Sequence, residues 1–409
     1  MKKTEEFKLH IIKCVIGKKL TIKDASKRLD LSIRQVKRLK RRLQDGVSSM
    51  LHVNCGRQPK HTLSPQTKKD ILEIKAMPEY DEVNFLHFQE LLESEHNIKI
   101  SYSALRKLLI KNGHKSPRKQ KRRKISHPRR QRKEYFGEML QMDGSKHKWF
   151  KNNSQYYVIH GAIDDGTSNI TSLYMCKNEC LEGYTQVIRQ TIKAYGVPKS
   201  AYLDGLSIFF SSKEPTIEEQ LEGKMVNETQ FGRMMSSLGV HMIQARSSQA
   251  KGRIERLWGT LQGRLETEFA IRGINTPEEA NAFFPEFLKS FNERFSVEAL
   301  KSENKFLPVP EYINLDILFS VKITRTVDNS GCFSLDGTIF QCNIKDVLPK
   351  TKVVILISKK LGVKVLFKEK LFTPIPILCK EKIEIKGSSV ASIIDDFVYS
   401  HFLKDEHAS

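Results

Sequence analysis

Three acidic residues stand out by type and setting: Asp143 in QMDGSKHKWF, Asp204 in AYLDG and Glu255 in AKGRIERLWGTL. The first reads as part of a strand, the second as the end of a short buried strand, the third as the opening turns of a long helix. Carboxylates are hard oxygen donors of the kind magnesium takes, and three of them can hold two divalent cations. Two such cations, about 3.5–4 Å apart, activate an attacking oxygen and stabilise a leaving one during in-line displacement at a phosphodiester. Plainer roles compete for acids like these. An isolated Asp at a strand end is usually a turn or cap residue. Glu266 and Glu268 read as a solvated helix face, and Asp164-Asp165 in DDGTS as a hairpin turn. His147 and Trp149 read as structural or close to a bound polyanion, and Trp258 as core.

The charge says what such a site would act on. The chain has 409 residues, with 69 Lys and Arg against 47 Asp and Glu, a net of +22. Residues 1–140 hold 35 of the basic and 15 of the acidic residues, whereas residues 141–409 are nearly balanced at 34 and 32. A surplus confined to one third of the chain implies a polyanion held by that third, with nucleic acid foremost. A membrane-surface protein would need an amphipathic basic helix with an aromatic face, and none is visible. No apolar run approaches the ~18 residues of a membrane span. The opening MKKTEEFKLH lacks the apolar core of a signal peptide. Seven cysteines, an odd number without C-x2-C spacing, argue against a disulfide framework or structural zinc and for reduced thiols in the cytoplasm.

The length suits several domains, each with its own core. In residues 1–50 three helices are expected: EEFKLHIIKCVI, then IKDASKRL capped by Thr21, then IRQVKRLKRRLQ capped by Ser32. Ile33, Val36, Leu39 and Leu43 form the apolar stripe of the third, and Arg34, Gln35, Lys37, Arg38, Arg41 and Arg42 are its candidate DNA contacts. Two short helices and a basic third form a helix-turn-helix pattern. A Gly- and Pro-bearing linker, 52–65, follows; its GRQPK, with Arg57, resembles a minor-groove hook, and a plain linker is an equal reading. Residues 64–114 read as a second helical DNA-binding domain, with Arg106 and Lys107 facing out. In the linker 115–133, eleven of nineteen residues are Lys or Arg, among them Arg118, Lys121, Arg122 and Arg123, which suits tracking along a phosphate backbone.

From Glu134 the pattern changes to three strands joined by turns, then helix, strand, helix, strand and a long helix, with a Phe-rich helix after it. Residues 134–300 are taken as this α/β core. Alternating residues with tight turns at Gly331, Gly337 and Gly362 then suggest a small β-barrel over 318–375, with 376–409 as a tail.

The order βββαβαβα with an early meander resembles the ribonuclease-H-like fold. The segments around Asp143, Asp204 and Glu255 resemble DDE transposases of bacterial insertion sequences, in the retroviral-integrase superfamily. The resemblance covers most of residues 134–273. It implies that Asp143 bridges two Mg²⁺ (or Mn²⁺) ions while Asp204 and Glu255 each hold one. It implies double-stranded DNA partners, terminal inverted repeats and target DNA, and a homo-oligomer that pairs two ends. It implies a cytoplasmic, nucleoid-associated protein that cuts the element ends and joins the 3′-hydroxyl to target DNA. The acidic residues are spaced by 61 and 51, the second gap being lengthened by a polar insertion at 211–228. Leu206 and Gln262 depart from the family pattern at places where relatives carry a small polar and a basic residue. Lys251, Arg253, Arg256 and Arg264 are the basic residues near enough to contact DNA instead. A hydrolysis-only nuclease and an inactive DNA-binding regulator are the rival readings. The fold class expected is therefore multidomain: all-α helix-turn-helix modules, a central α/β ribonuclease-H-like core and a C-terminal small β-barrel.

Overall fold

The computed structural model describes residues 5–46, 63–117, 130–211, 228–245, 251–342, 344, 347–358 and 360–377. Arg57, Arg118, Lys121, Arg122, Arg123, the 211–228 insertion beyond its ends and the 376–409 tail beyond Ile377 lie outside the described residues. The chain divides into two compact units, residues 1–73 and 74–409.

The first unit contains α1 (Glu5–Ile16), α2 (Ile22–Leu29) and α3 (Ile33–Gln44), with α4 (Pro65–Lys75) running to its boundary. Thr21 caps α2, and Ser32 closes a reciprocal capping box with Gln35 on α3. The turn between them works because Asp30 takes the left-handed conformation at φ 56°. Ile12, Ala25 and Val36, all fully buried, tie the three helices into one core. Leu39 is buried and Leu43 half-buried, as the stripe predicts, but Ile33 is exposed: it is the first helical residue, and the packed face starts one turn later at Val36. Arg34, Lys37, Arg38 and Arg41 are exposed on the opposite side.

In the second unit, a 3-10 turn (Pro78–Tyr80), α5 (Phe85–Ser94) and α6 (Tyr102–Lys111) precede a five-stranded sheet. Its strands are β1 (Leu140–His147), β2 (Tyr157–Asp164), β3 (Ile170–Cys176), β4 (Ser200–Leu203) and β5 (His241–Gln244). They lie in the order β3-β2-β1-β4-β5; β1–β2–β3 is an antiparallel meander, and β4 and β5 add in parallel. This is the mixed α/β core expected from the element order. Parallel additions need helical crossovers, supplied here by α7 (Leu181–Tyr195) before β4 and α8 (Gln230–Ser237) before β5. On one face Leu140, Met142 and Ala162 pack with α7 and α8. On the other, Ile159, Ile163 and Leu173 pack with α9 (Gly252–Arg272) and α10 (Pro277–Phe295). Every residue of β2 is buried, as expected of a strand covered on both faces.

α10 also seals the free edge of the sheet. Asn281 exchanges hydrogen bonds with the N–H and C=O of Met175, at 2.7 and 3.0 Å, and Asn292 does the same with Ile170, at 2.9 Å each. Side-chain amides thus stand in for a sixth strand along β3 and leave it less able to pair with another chain. α5 is pinned to α9 by charge: Arg264 forms a fork on Glu90, His87 meets Glu268 at 2.9 Å, and Arg272 reaches Glu95 at 3.1 Å. Glu268 is therefore a half-buried ion-pair partner, and Glu266 pairs with His147, so neither is the solvated residue the helix pattern suggests.

After α11 (Leu315–Leu318), the last described strands are β6 (Val321–Thr326), β7 (Cys332–Leu335), β8 (Thr338–Gln341), β9 (Lys352–Ser358), β10 (Gly362–Phe367), β11 (Lys370–Phe372) and β12 (Ile375–Ile377). They make two antiparallel sheets, β11-β10-β9-β6 and β12-β8-β7, over one core that includes Phe333, Phe340, Ile355 and Val365. Five strands were expected here; β11 and β12 are too short, at three residues each, to show a period. Among the described residues the hydrogen bonding runs in two sheets and does not close a single ring.

Candidate active site

The parallel pairing of β1 with β4 brings the two candidate aspartates together. Gln141 sits opposite Tyr202, and two residues farther along each chain stand Asp143 and Asp204. Both face one cation: the Lys251 ammonium lies 2.7 Å from Asp143 Oδ1 and 3.2 Å from Asp204 Oδ2. The remaining oxygens are held from the other side. Trp258 Nε1 donates to Asp143 Oδ2 at 3.1 Å, and the Leu206 N–H donates to Asp204 Oδ1 at 3.3 Å. Each carboxylate is therefore fixed through one oxygen and offers the other inward.

Lys251 is only 5% exposed. Burial pulls its pKa down, but the hydrogen bond it donates to Asp143 and the charges of Asp143 and Asp204 more than offset this, and the net shift is upward. Trp258 reaches Asp143 because Gly161 makes room. Gly161 is the β2 partner of Asp143, and a Cβ there would meet the Trp258 ring and Leu173 at 2.8 Å. Trp258 is in the core, as read from the sequence, and its indole N–H also serves the site.

A further carboxylate was missed. Glu179, in the turn between β3 and α7, takes a hydrogen bond from the buried Tyr184 hydroxyl. Burial raises its pKa, the Tyr184 hydrogen bond lowers it, and the charges of Asp204 and Asp143 raise it again, leaving a net upward shift. Its only mark in the sequence is a place just ahead of a helix, KNEC, which resembles any turn. The turn is held by His160, which is fully buried, accepts from the Cys180 N–H at 3.2 Å and faces the Tyr184 ring. Burial lowers the His160 pKa to about 4, so the ring is neutral.

Glu255 is in the first turn of α9, as expected, and is exposed. The structure does not bring it to the aspartates: among the described residues no three His, Cys, Asp or Glu side chains are gathered closely enough to hold a metal ion. The donor set nevertheless fits a hard divalent cation. Two carboxylate oxygens converge on one positive charge, with an ammonium standing where the metal would stand.

The candidate DNA contacts divide by placement. Arg106, Lys107 and Arg256 are exposed, and Arg42 is half-buried. Gln35 is engaged in the α3 capping box, its Oε1 accepting from Ser32 N at 2.9 Å. Lys251 is inside the site. Arg253 is turned inward to Asp165 Oδ1 at 2.7 Å. Asp164 and Asp165 do lie at a turn, but both are wholly buried. Asp165 gathers Arg253, Arg130, Gln141 Nε2 and the Lys133 N–H. His147 bonds Glu266 at 2.5 Å, a structural role. None of the five described cysteines is in a disulfide, and no helix among the described residues is long and apolar enough to cross a membrane.

Comparison with known proteins gives the family. The chain is 35% identical over 361 residues to the transposase for insertion sequence IS1202 of Streptococcus pneumoniae, covering 80% of this chain and 75% of that protein. It is 31% identical over 303 residues to the putative transposase y4bF of Sinorhizobium fredii (strain NBRC 101917 / NGR234), covering 74% of this chain and 64% of that protein, a little under two thirds of its length. The chain belongs to the insertion-sequence transposases. No family model matches it. Among solved structures, a simian T-cell lymphotropic virus intasome aligns over 71% of this chain and 95% of the other, at 14% identity and a TM-score of 0.31. The HTLV-2 integrase catalytic core in complex with magnesium aligns over 40% and 92%, at 17% identity and a TM-score of 0.29. Superpositions this loose carry no argument, and the fold rests on the strand order above.

Proposed function

We propose that the chain is a DDE transposase that binds the terminal inverted repeats of its element, cleaves at the ends and joins the 3′-hydroxyl to target DNA by transesterification. What supports this most directly is the convergence of Asp143 and Asp204, from neighbouring parallel strands, on a single cation. In this reading Asp143, Asp204 and Glu255 hold two Mg²⁺ or Mn²⁺ ions, Asp143 bridging. When bound, such ions activate the attacking oxygen and stabilise the leaving one. The chain's own part is placement. Trp258 and the Leu206 N–H fix the aspartates, and α9 carries Glu255 in its first turn, beside Ile254, whose N–H meets Gln141 of β1 at 3.3 Å.

Binding is assigned to residues 1–133, in the domain division 1–50, 64–114 and the linker 115–133. Arg34, Lys37, Arg38 and Arg41 face DNA from α3, and Arg106 and Lys107 from α6. The ribonuclease-H-like core spans 134–300, and the small two-sheet β domain, 318–375, adds grip. Pairing two ends calls for a homo-oligomer, working in the cytoplasm on nucleoid DNA. The test is to incubate the protein with duplexes carrying the repeats that flank its own gene, with Mg²⁺ and with chelator. Metal-dependent cleavage and strand-transfer products are expected. Cleavage without joining would leave a nuclease, and tight binding with no product a regulator.

A further inference from the structure

The oddity of the site is a buried lysine where a transposase of this kind needs room for a metal. Lys251 is the residue that caps α9, four positions before Glu255, and its ammonium touches both aspartates. Buried charges persist when paired, so the contact stabilises the metal-free chain. The same contact occupies the only inward-facing oxygens of Asp143 and Asp204, because their other oxygens are taken by Trp258 and Leu206. The ammonium and a divalent cation would therefore compete for the same two oxygens.

Charge counting gives the direction of exchange. Asp143 and Asp204 set two carboxylates against one lysine. One ammonium leaves such a cluster under-neutralised, and a divalent cation balances it better. Lys251 also has somewhere to go: it sits at the start of the helix, where Gly252 follows it and Glu255 and Arg256 are exposed, so a lysine released from the aspartates turns toward the exposed first turn of α9.

We propose that Lys251 is a built-in counter-ion: it holds the cation position between Asp143 and Asp204 in the metal-free protein and is displaced when metal enters. Metal binding is then weakened by the fraction of time the lysine is seated, and emptying the position removes that penalty. This rests on the reading of Asp143 and Asp204 as metal ligands, and the test separates the two.

Mn²⁺ is titrated into the full chain without DNA, free Mn²⁺ being followed by electron paramagnetic resonance. Wild type is compared with Lys251→Met, Lys251→Arg and Asp143→Asn. Lys251→Met is expected to bind Mn²⁺ about tenfold more tightly than wild type, the effect of a lysine seated about nine-tenths of the time. Lys251→Arg, which keeps the charge, should stay near wild type, and Asp143→Asn should lose the site. A second arm uses wild type alone, so that it survives a poorly folding variant. An amine-acylating reagent read by mass spectrometry should modify Lys251 slowly in the metal-free protein and several-fold faster with Mn²⁺ present. Equal Mn²⁺ affinity in wild type and Lys251→Met, with unchanged Lys251 labelling, would overturn the counter-ion and leave the metal site standing. Mn²⁺ binding that survives Asp143→Asn, or is missing from every variant, would overturn the metal site and the counter-ion with it.

Discussion

Two pairs of aspartates sit on one sheet and are treated in opposite ways. Asp164 and Asp165, at the far end of β2, are wholly buried and saturated. Asp164 accepts from the Gly137 N–H at 2.9 Å and from the Thr167 N–H and hydroxyl at 2.8 Å each. Asp165 is ringed by Arg130, Arg253, Gln141 and the Lys133 N–H. Asp143 and Asp204 keep partial exposure, 17% and 31%, and share a single lysine. The first pair has partners enough from the surrounding chain and needs nothing else. The second keeps one oxygen each for a cation that can be exchanged. What separates the two pairs is whether the surrounding chain's donors use up their acceptors.

The sharpest way to break that contrast is to remove one acid from each pair. Asp165→Ala strands Arg253 in the interior and should cost about 3–5 kcal/mol in urea unfolding, the penalty for an uncompensated buried charge. Asp143→Asn leaves Lys251 still paired with Asp204 and should cost about 1 kcal/mol or less. Equal costs would erase the distinction.

A second consequence concerns the turn that carries Glu179. His160 binds its proton about two and a half pH units less readily than the ordinary 6.5, since its pKa falls to about 4. The unfolded chain therefore takes up a proton that the folded chain refuses. Stability from this residue is complete above pH 6.5 and lost as the pH falls toward 4, by up to about 1.4 kcal/mol per pH unit. Urea melts at pH 7.5, 6 and 5 should show a shallower decline for His160→Asn than for wild type, from a lower starting point. Parallel declines would contradict the assignment.

Smaller effects belong to the residues packed around Asp143. Gly161→Ala pushes a methyl against Trp258 and Leu173 and should cost about 1–3 kcal/mol by overpacking. Trp258→Phe keeps the ring but removes the donor to Asp143, costing about 1 kcal/mol of stability. If the indole positions Asp143, DNA cleavage should fall about tenfold in that variant while protein–DNA affinity holds, a split that a gel-shift assay run beside the cleavage assay would read.

Much of the frame was legible in the sequence because hydrophobic periodicity is a local signal. The meander, the crossover helices and the caps at Thr21 and Ser32 follow from patterns a few residues long. Asp143 within a strand and Asp204 just past one could be placed because their flanking segments carry the strand pattern. Lys251 was visible only as a basic residue near a helix start; its contacts lie 108 and 47 residues away along the chain, and no local pattern encodes them. The same holds for Arg253, read as a surface contact but drawn inward by an aspartate 88 residues before it. Asn281 and Asn292 look like ordinary helix residues until the exposed edge of β3 is beside them. Sequence periodicity says which face of an element is buried; partners for polar groups come from topology.

The central claim is that Asp143, Asp204 and Glu255 hold the metal ions of the reaction, and one assay tests it most directly. Labelled duplexes bearing the flanking repeats are incubated with Mg²⁺ and with wild type, Asp143→Asn or Glu255→Gln, each first confirmed folded by circular dichroism. The account predicts cleavage and strand transfer by wild type and a loss of about a thousandfold or more in both variants, the scale of a lost metal site. Products persisting undiminished in Asp143→Asn would contradict it.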